Sequence, residues 1–166
     1  MRVRGDTGAL SVRPATLDDV CALVALRAEM FRAMGAADVD SRPWQDSACT
    51  WFAVRVEDPD YGIFVVDVDG DVVAAAVGAI RDSAPSPTCP AGRDVLISNV
   101  CTLPEHRGAG HGSAAFAAVM AWARKAGVDR AELMATDGGR RIYEREGFEL
   151  NRFPAMRATL KRTRTV

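Results

Sequence analysis

The sequence predicts a single α/β domain in which helices pack on a mixed sheet, and three observations predict it. Apolar runs of strand length alternate with stretches whose apolar residues recur at helical spacing. The pair Asp69-Gly70 separates two apolar runs, GIFVVDV and DVVAAAVGAI, as a hairpin turn does. The stretch PEHRGAGHGS, Pro104 to Ser113, leads from a run of buried-strand character, VLISNVCTL, into a helical one, AAFAAVMAWARKAG. At 166 residues, 48% hydrophobic and 26% charged, the chain suffices for one globular domain and is too apolar for a disordered one.

The elements follow in order. Met1 to Ala9, polar and glycine-containing, reads as a mobile lead-in, which places the domain at residues 10–166. LSVRP offers a first strand. Thr16 with Asp19 approximates a capping box, and Val20, Leu23, Val24, Met30, Phe31 and Met34 then recur at helical spacing, so a helix is expected over Leu17 to Met34. SACTWFAVRVE, Ser47 to Glu57, reads as a second helix, although its β-branched and aromatic residues also suit a strand. After the hairpin, SAPSPTCPAG is a surface loop by its Pro and Ser content, placed to shape a site mouth. The strand Val95 to Leu103 precedes a helix with Phe116, Val119, Met120 and Ala123 on one face, closed by Gly127. RAELMAT is a further strand, GGRRIYERE a short helix ended by Gly147, and FELNRF and AMRATLKR are two last strands.

Charge is distributed unevenly. Up to Leu103 there are 9 Lys and Arg against 15 Asp and Glu; from Pro104 onward there are 12 against 7, within a net charge of −1. A basic C-terminal part on an acidic chain suits a localised anionic ligand, whereas a nucleic-acid track would make the whole domain basic. Cys21, Cys49, Cys89 and Cys101 form no CxxC pair and do not cluster with His106 or His111, so neither a metal site nor a redox motif is expected. No stretch has the apolar length of a membrane span or of a signal peptide, which predicts a cytoplasmic protein with reduced thiols.

The glycine turn carries the chemistry. The first amides of a helix lack intrahelical partners and the helix dipole places positive charge there, so an anion fits a turn whose Gly108, Gly110 and Gly112 present no side chains. Gly112 is followed by Ser113 and Ala114 rather than by Lys and Ser/Thr, which excludes a nucleoside-triphosphate loop, and the glycine spacing does not match the dinucleotide fingerprint. Arg107-x-x-Gly110-x-Gly112 after a strand, followed later by IYEREGF at Ile142 to Phe148, resembles the GNAT acyltransferase superfamily; VRPAT-LDDV near the N-terminus agrees with it.

That resemblance implies a mostly antiparallel central sheet with splayed central strands, flanked by about four helices, and acetyl-CoA as co-substrate. It implies that Val100, Cys101 and Thr102 pair with the pantetheine arm. It places the pyrophosphate on Arg107, Gly108, Ala109, Gly110, His111, Gly112 and Ser113, and gives Tyr143 the protonation of the leaving thiolate. Thr136 stands where many members carry an asparagine. The strand holds no carboxylate to act as base, which leaves Asn99, through a bound water, and Glu29 as candidates for handling the amine proton. By strand alternation Asn99 shares a face with Ile97 and Cys101. Phe31, Trp44 and Trp51 are candidates for an apolar acceptor pocket, and Asn99 is a candidate to hold a substrate group there. The expected activity is direct transfer of an acetyl group to an amine of a small molecule or amino acid. Protein N-termini as acceptors, and a non-catalytic acyl-CoA-binding regulator, are the alternatives. Neither nucleic acid nor membrane is an expected partner, and a homodimer stays open.

Overall fold

Asp69 and Gly70 take positive φ angles of 57° and 93° and close a hairpin between β2, Tyr61–Val68, and β3, Asp71–Asp82. This hairpin is the centre of the computed structural model, which describes residues 10–160. The lead-in expected at residues 1–9 lies outside the described residues. Two compact units divide the chain, one up to Met134 and one from Ala135.

In the first unit β1, Leu10–Pro14, pairs antiparallel with β2, and β3 pairs antiparallel with β4, Arg93–Thr102. β5, Arg130–Leu133, adds in parallel beside β4, so the sheet runs in chain order from β1 to β5 and is mostly antiparallel. The capping box forms: the Thr16 amide donates to Asp19 Oδ2 at 2.8 Å, and Arg13 grips the same carboxylate at 2.7 and 2.9 Å. It opens a 3-10 turn over Leu17–Asp19 that passes into α1, Val20–Ala33. α2 spans Arg42–Arg55, starting earlier than the apolar pattern indicated because Pro43 sits in its first turn, where its fixed φ and missing N–H suit a helix start.

α3, His111–Lys125, covers the other face of the sheet. Ile63, Val65, Ala75 and Val77 pack in one cluster with Leu23, Val24 and Phe52 of α1 and α2. The alternating residues Gly62 and Gly78, register partners across the hairpin, point the opposite way, and a Cβ built on either would collide with the Trp122 ring of α3. The loop expected over residues 83–92 closes on itself, with Ser83 N–H donating to Gly92 O at 2.8 Å and Cys89 buried beneath it.

In the second unit α4, Arg140–Arg145, ends at Gly147, whose φ is 87°. The two last strands expected from FELNRF and AMRATLKR do not form among the described residues. The Phe153 amide turns to Asn151 Oδ1 at 3.1 Å instead of a ladder partner, and Pro154 has no N–H to offer, so the extended run is broken where it would begin. Leu150, Phe153, Met156 and Leu160 stay exposed. None of the described helices is long and apolar enough to cross a membrane.

Candidate active site

β4 is paired on both sides only along its first half. β5 accompanies it from Asp94 to Ile97 and then ends, while β3 continues to Thr102, so Ser98 to Thr102 present one strand edge without a ladder partner among the described residues. Between Ser98 and Cys101 the register with β3 shifts, with Asn99 and Val100 standing opposite Ala76 alone. Asn99 absorbs the extra residue at φ 52°, a conformation that asparagine tolerates better than most side chains.

This bulge overturns the expected alternation. Ile97 pairs with Gly78 on the α3 side, whereas Cys101 belongs to the cluster beneath α1 and α2, so the two do not share a face. An inserted residue reverses the in/out sense of every residue beyond it. Below the fork Asp94, 2% exposed, accepts from Arg81 Nε at 2.7 Å and from an Arg130 amino group at 2.9 Å, tying β3, β4 and β5 together where they are still paired.

The glycine turn lies just past the free edge. Gly108 and Gly110 adopt φ of 83° and 84°, and Cβ atoms built on them meet nothing, so the turn is open to its surroundings. The Ala114 amide is the first to find a carbonyl, that of Gly110 at 3.0 Å; the amides of Gly108 to Ser113 donate to no group among the described residues. Gly112 serves differently, for a Cβ there would stand 2.9 Å from Thr102 Oγ1, so its absence lets α3 approach β4. Arg107 donates to Thr102 O at 3.3 Å and to Glu29 Oε1 at 3.1 Å, and Glu29 Oε2 accepts from Arg32 at 2.7 Å. Both oxygens of Glu29 are therefore held by guanidinium groups. His106 and His111, 6.1 Å apart between ring centroids, are half-buried. Burial pushes the Cys101 thiol above its ordinary pKa, the opposite of what a nucleophilic thiolate needs.

On the α1 and α2 side of the bulge lies a cavity of about 520 Å³, lined by Arg27, Trp44, Ser47, Trp51, Ser98 and Asn99 among others. Three of the predicted acceptor residues, Trp44, Trp51 and Asn99, line it. The fourth, Phe31, is not part of the lining but touches two residues that are, with the Arg27 guanidinium 4.8 Å and the Trp44 ring 5.8 Å from its ring centroid. Trp44 is fixed by its indole N–H, which donates to the carbonyls of Asp38 and Val39 at 3.1 and 3.0 Å, and Trp51 by edge contacts with Phe52 and Tyr61. Sequence reasoning missed Arg27. The signal was there: it occupies a position on the Leu23, Val24, Phe31 stripe of α1, where an apolar residue is the rule.

In the second unit Thr136 closes the turn that leads into α4, whose N-cap is Gly139, its carbonyl accepting from Gly139 and Arg140 N–H at 3.0 Å each and its hydroxyl from Gly139 N–H at 3.3 Å. The Tyr143 ring lies 6.3 Å from that of Phe148, and burial raises its phenol above the ordinary value.

A half-paired strand with a bulge, followed by an open glycine turn at a helix start, is a combination that can be compared with known proteins. The profile of the acetyltransferase (GNAT) family matches residues 23–148. The chain belongs to the GNAT acetyltransferase family. Among solved structures, this GNAT chain resembles a GCN5-related N-acetyltransferase from Ralstonia eutropha JMP134 with 26% identity and a TM-score of 0.80, covering 90% of this chain and 99% of that one. It shares the fold of a predicted acetyltransferase from Clostridium acetobutylicum solved with acetyl-CoA, at 21% identity and TM-score 0.77 over 90% and 96% of the two chains. It also shares the fold of glucosamine-6-phosphate N-acetyltransferase from Arabidopsis thaliana, at 17% identity and TM-score 0.68 over 92% and 99%. No curated protein sequence matches the chain. The GNAT assignment makes it an acyltransferase built on the mixed, mostly antiparallel sheet that the sequence predicted.

Proposed function

We propose that this protein is an N-acetyltransferase that moves an acetyl group from acetyl-CoA to the amine of a small molecule or amino acid by direct nucleophilic attack. The observation that carries the proposal is the run of amides from Gly108 to Ser113 at the start of α3, adjoining a strand edge from Ser98 to Thr102, neither of which finds a backbone partner among the described residues. A diphosphate fits the first, because aligned N–H groups and a helix dipole favour an anion that no side chain obstructs. An amide-containing arm fits the second, because an extended chain can add to a free edge. Acetyl-CoA, when bound, supplies the acetyl group as a thioester.

In this reading Val100, Cys101 and Thr102 hold the pantetheine arm through backbone groups. Gly108, Ala109, Gly110, His111, Gly112 and Ser113 hold the pyrophosphate with Arg107, and Thr136 adds a hydroxyl contact. Tyr143 donates its phenolic proton to the departing thiolate; a raised phenol pKa keeps that proton in place at neutral pH. Glu29 is engaged by two arginines and serves to position Arg107, so the amine proton leaves through water held at Asn99. Four unbridged cysteines suit a cytoplasmic setting.

The absence of any carboxylate from Ser98 to Thr102 favours a second reading, a non-catalytic acyl-CoA-binding regulator. Release of free thiol from acetyl-CoA across an amine panel separates the two. Acceleration by at least one amine is expected; thermal protection by CoA with no accelerated release by any amine would establish the regulator instead.

A further inference from the structure

Arg27 is half-buried, and among the described residues it forms no ion pair. Arg13, Arg32, Arg81, Arg93, Arg107 and Arg130 each meet a carboxylate. Arg27 instead donates to Asn99 Oδ1 at the bulge and lies over the Phe31 ring. A guanidinium has five N–H donors in a planar fork, so donors remain after the bond to Asn99. They belong to a side chain that lines the 520 Å³ cavity beside Trp44 and Trp51. Desolvation acts against this cation, yet no carboxylate among the described residues pairs with it to offset that cost. Asn99 and Phe31 fix its direction, which is how a binding site is prepared in advance of its ligand.

We infer that Arg27 is a specificity-determining residue that binds a carboxylate on the acceptor, and that the acceptor is an amino acid whose aromatic or large apolar side chain packs against Trp44 and Trp51. This rests on the acetyltransferase reading. A carboxylate matches the planar fork of arginine, and its single charge matches a single cation between apolar walls; a phosphate dianion would be left half-compensated. The position suits the reaction as well. Ser98 and Asn99 line the cavity, and the same strand runs on into the unpaired edge at Val100 to Thr102. An acceptor anchored on Arg27 therefore lies beside the strand that holds the thioester arm.

Matched acceptors test this. Thiol release is measured with phenylalanine and tryptophan against phenethylamine and tryptamine, which lack only the carboxylate, for the wild-type chain, Arg27→Gln and Arg27→Lys. Wild type should favour the amino acids by about 10- to 100-fold in kcat/KM, the range of a charge-assisted hydrogen bond. Arg27→Gln should erase that preference through KM for the amino acids, on top of whatever loss the missing bond to Asn99 imposes on both series alike, and Arg27→Lys should restore part of it. Equal use of both series by wild type, or a ratio of amino acid to amine in Arg27→Gln that stays at the wild-type value, would overturn the inference, and the wild-type ratio stands even if a variant fails to fold. Calorimetric titration of wild type and Arg27→Gln with N-acetylphenylalanine and N-acetyltryptophan separates this claim from the one beneath it. Binding that is lost in Arg27→Gln supports the pocket even where no thiol is released, in which case only the transferase reading fails. No binding and no turnover of any carboxylated probe by wild type sinks the pocket assignment.

Discussion

Asp94 shows how one buried carboxylate can fix the point at which two strands part. It is 2% exposed, faces Arg130 across the parallel register, and also binds Arg81. Burial alone would raise its pKa, but hydrogen bonds from the two guanidinium groups outweigh burial and hold it below the ordinary carboxylate value. Stability linked to a depressed acid is complete above the unfolded-state value and is lost as pH falls through the folded one, so this contribution disappears below about pH 4. Asp94→Asn should cost about 2–3 kcal/mol at neutral pH, discounted from a fully buried pair because both arginines are partly solvated. Its melting temperature should also depend less on acid pH than that of wild type; an unchanged melting temperature at pH 7 would show that the clamp is dispensable. Tyr143 is tested by kinetics. Tyr143→Phe should lower kcat by about 10- to 100-fold with acetyl-CoA KM within about twofold, and because burial holds the phenol above its ordinary value, wild-type kcat should show no loss to phenol ionisation across the neutral and mildly alkaline range. In the sequence Asn99 was legible as a polar interruption of a strand. That it is a bulge was not legible, because the sign of its φ is set by register with β3, a non-local property.

At the scale of elements, β1 to β5, α1, α3 and α4 stand where the sequence placed a strand or a helix, and apolar spacing marks those that bury a face, such as β2, β3, α1 and α3, whereas α2, in which Phe52 alone is buried, was also open to a strand reading. What periodicity could not see is what does not depend on burial of a face: the start of α2 at Pro43, the 3-10 turn before α1, and the failure of the last two strands at Asn151 to Pro154. It was equally blind to the notch made by Gly62 and Gly78, where side chains are missing so that Trp122 can sit against the sheet. Gly62→Ala should destabilise the protein by about 1–3 kcal/mol through overpacking, read as a lower denaturant midpoint, because the obstacle is a packed indole and not a flexible chain end. Gly110→Val separates the other kind of glycine. Its Cβ would meet nothing, so the fold has no internal clash, but a β-branched residue resists a φ of 84° and the amides of the turn lose their alignment. Acetyl-CoA affinity should fall about tenfold or more in calorimetry, with circular dichroism unchanged. Retained affinity would remove the turn from the cofactor site.

For the molecule as a whole, composition narrowed the function and motifs named it. A net charge of −1 with a basic C-terminal part led to the expectation of one anionic ligand and no nucleic acid, and the glycine turn and IYEREGF carried the resemblance to the acetyltransferase family that the chain belongs to. The acceptor was less legible: Trp44 and Trp51 could be nominated, but Arg27 became visible only when α1 and the bulge of β4 were brought together. The same assembly bears on whether the enzyme itself carries the acetyl group. Cys101 sits on the strand assigned to the thioester arm, which makes an acyl-cysteine relay conceivable from sequence. In the fold its side chain is 8% exposed within the α1 and α2 cluster, and desolvation keeps its proton on sulfur. A protonated, enclosed thiol is a poor nucleophile, so transfer should require both substrates together. Initial rates at varied acetyl-CoA and amine should give intersecting rather than parallel reciprocal lines. Intact mass after incubation with acetyl-CoA alone should show no added acetyl group, and Cys101→Ser, which keeps the backbone edge, should retain measurable turnover. Parallel lines together with one acetyl group on the wild-type protein, absent from Cys101→Ser, would replace direct attack with a covalent relay.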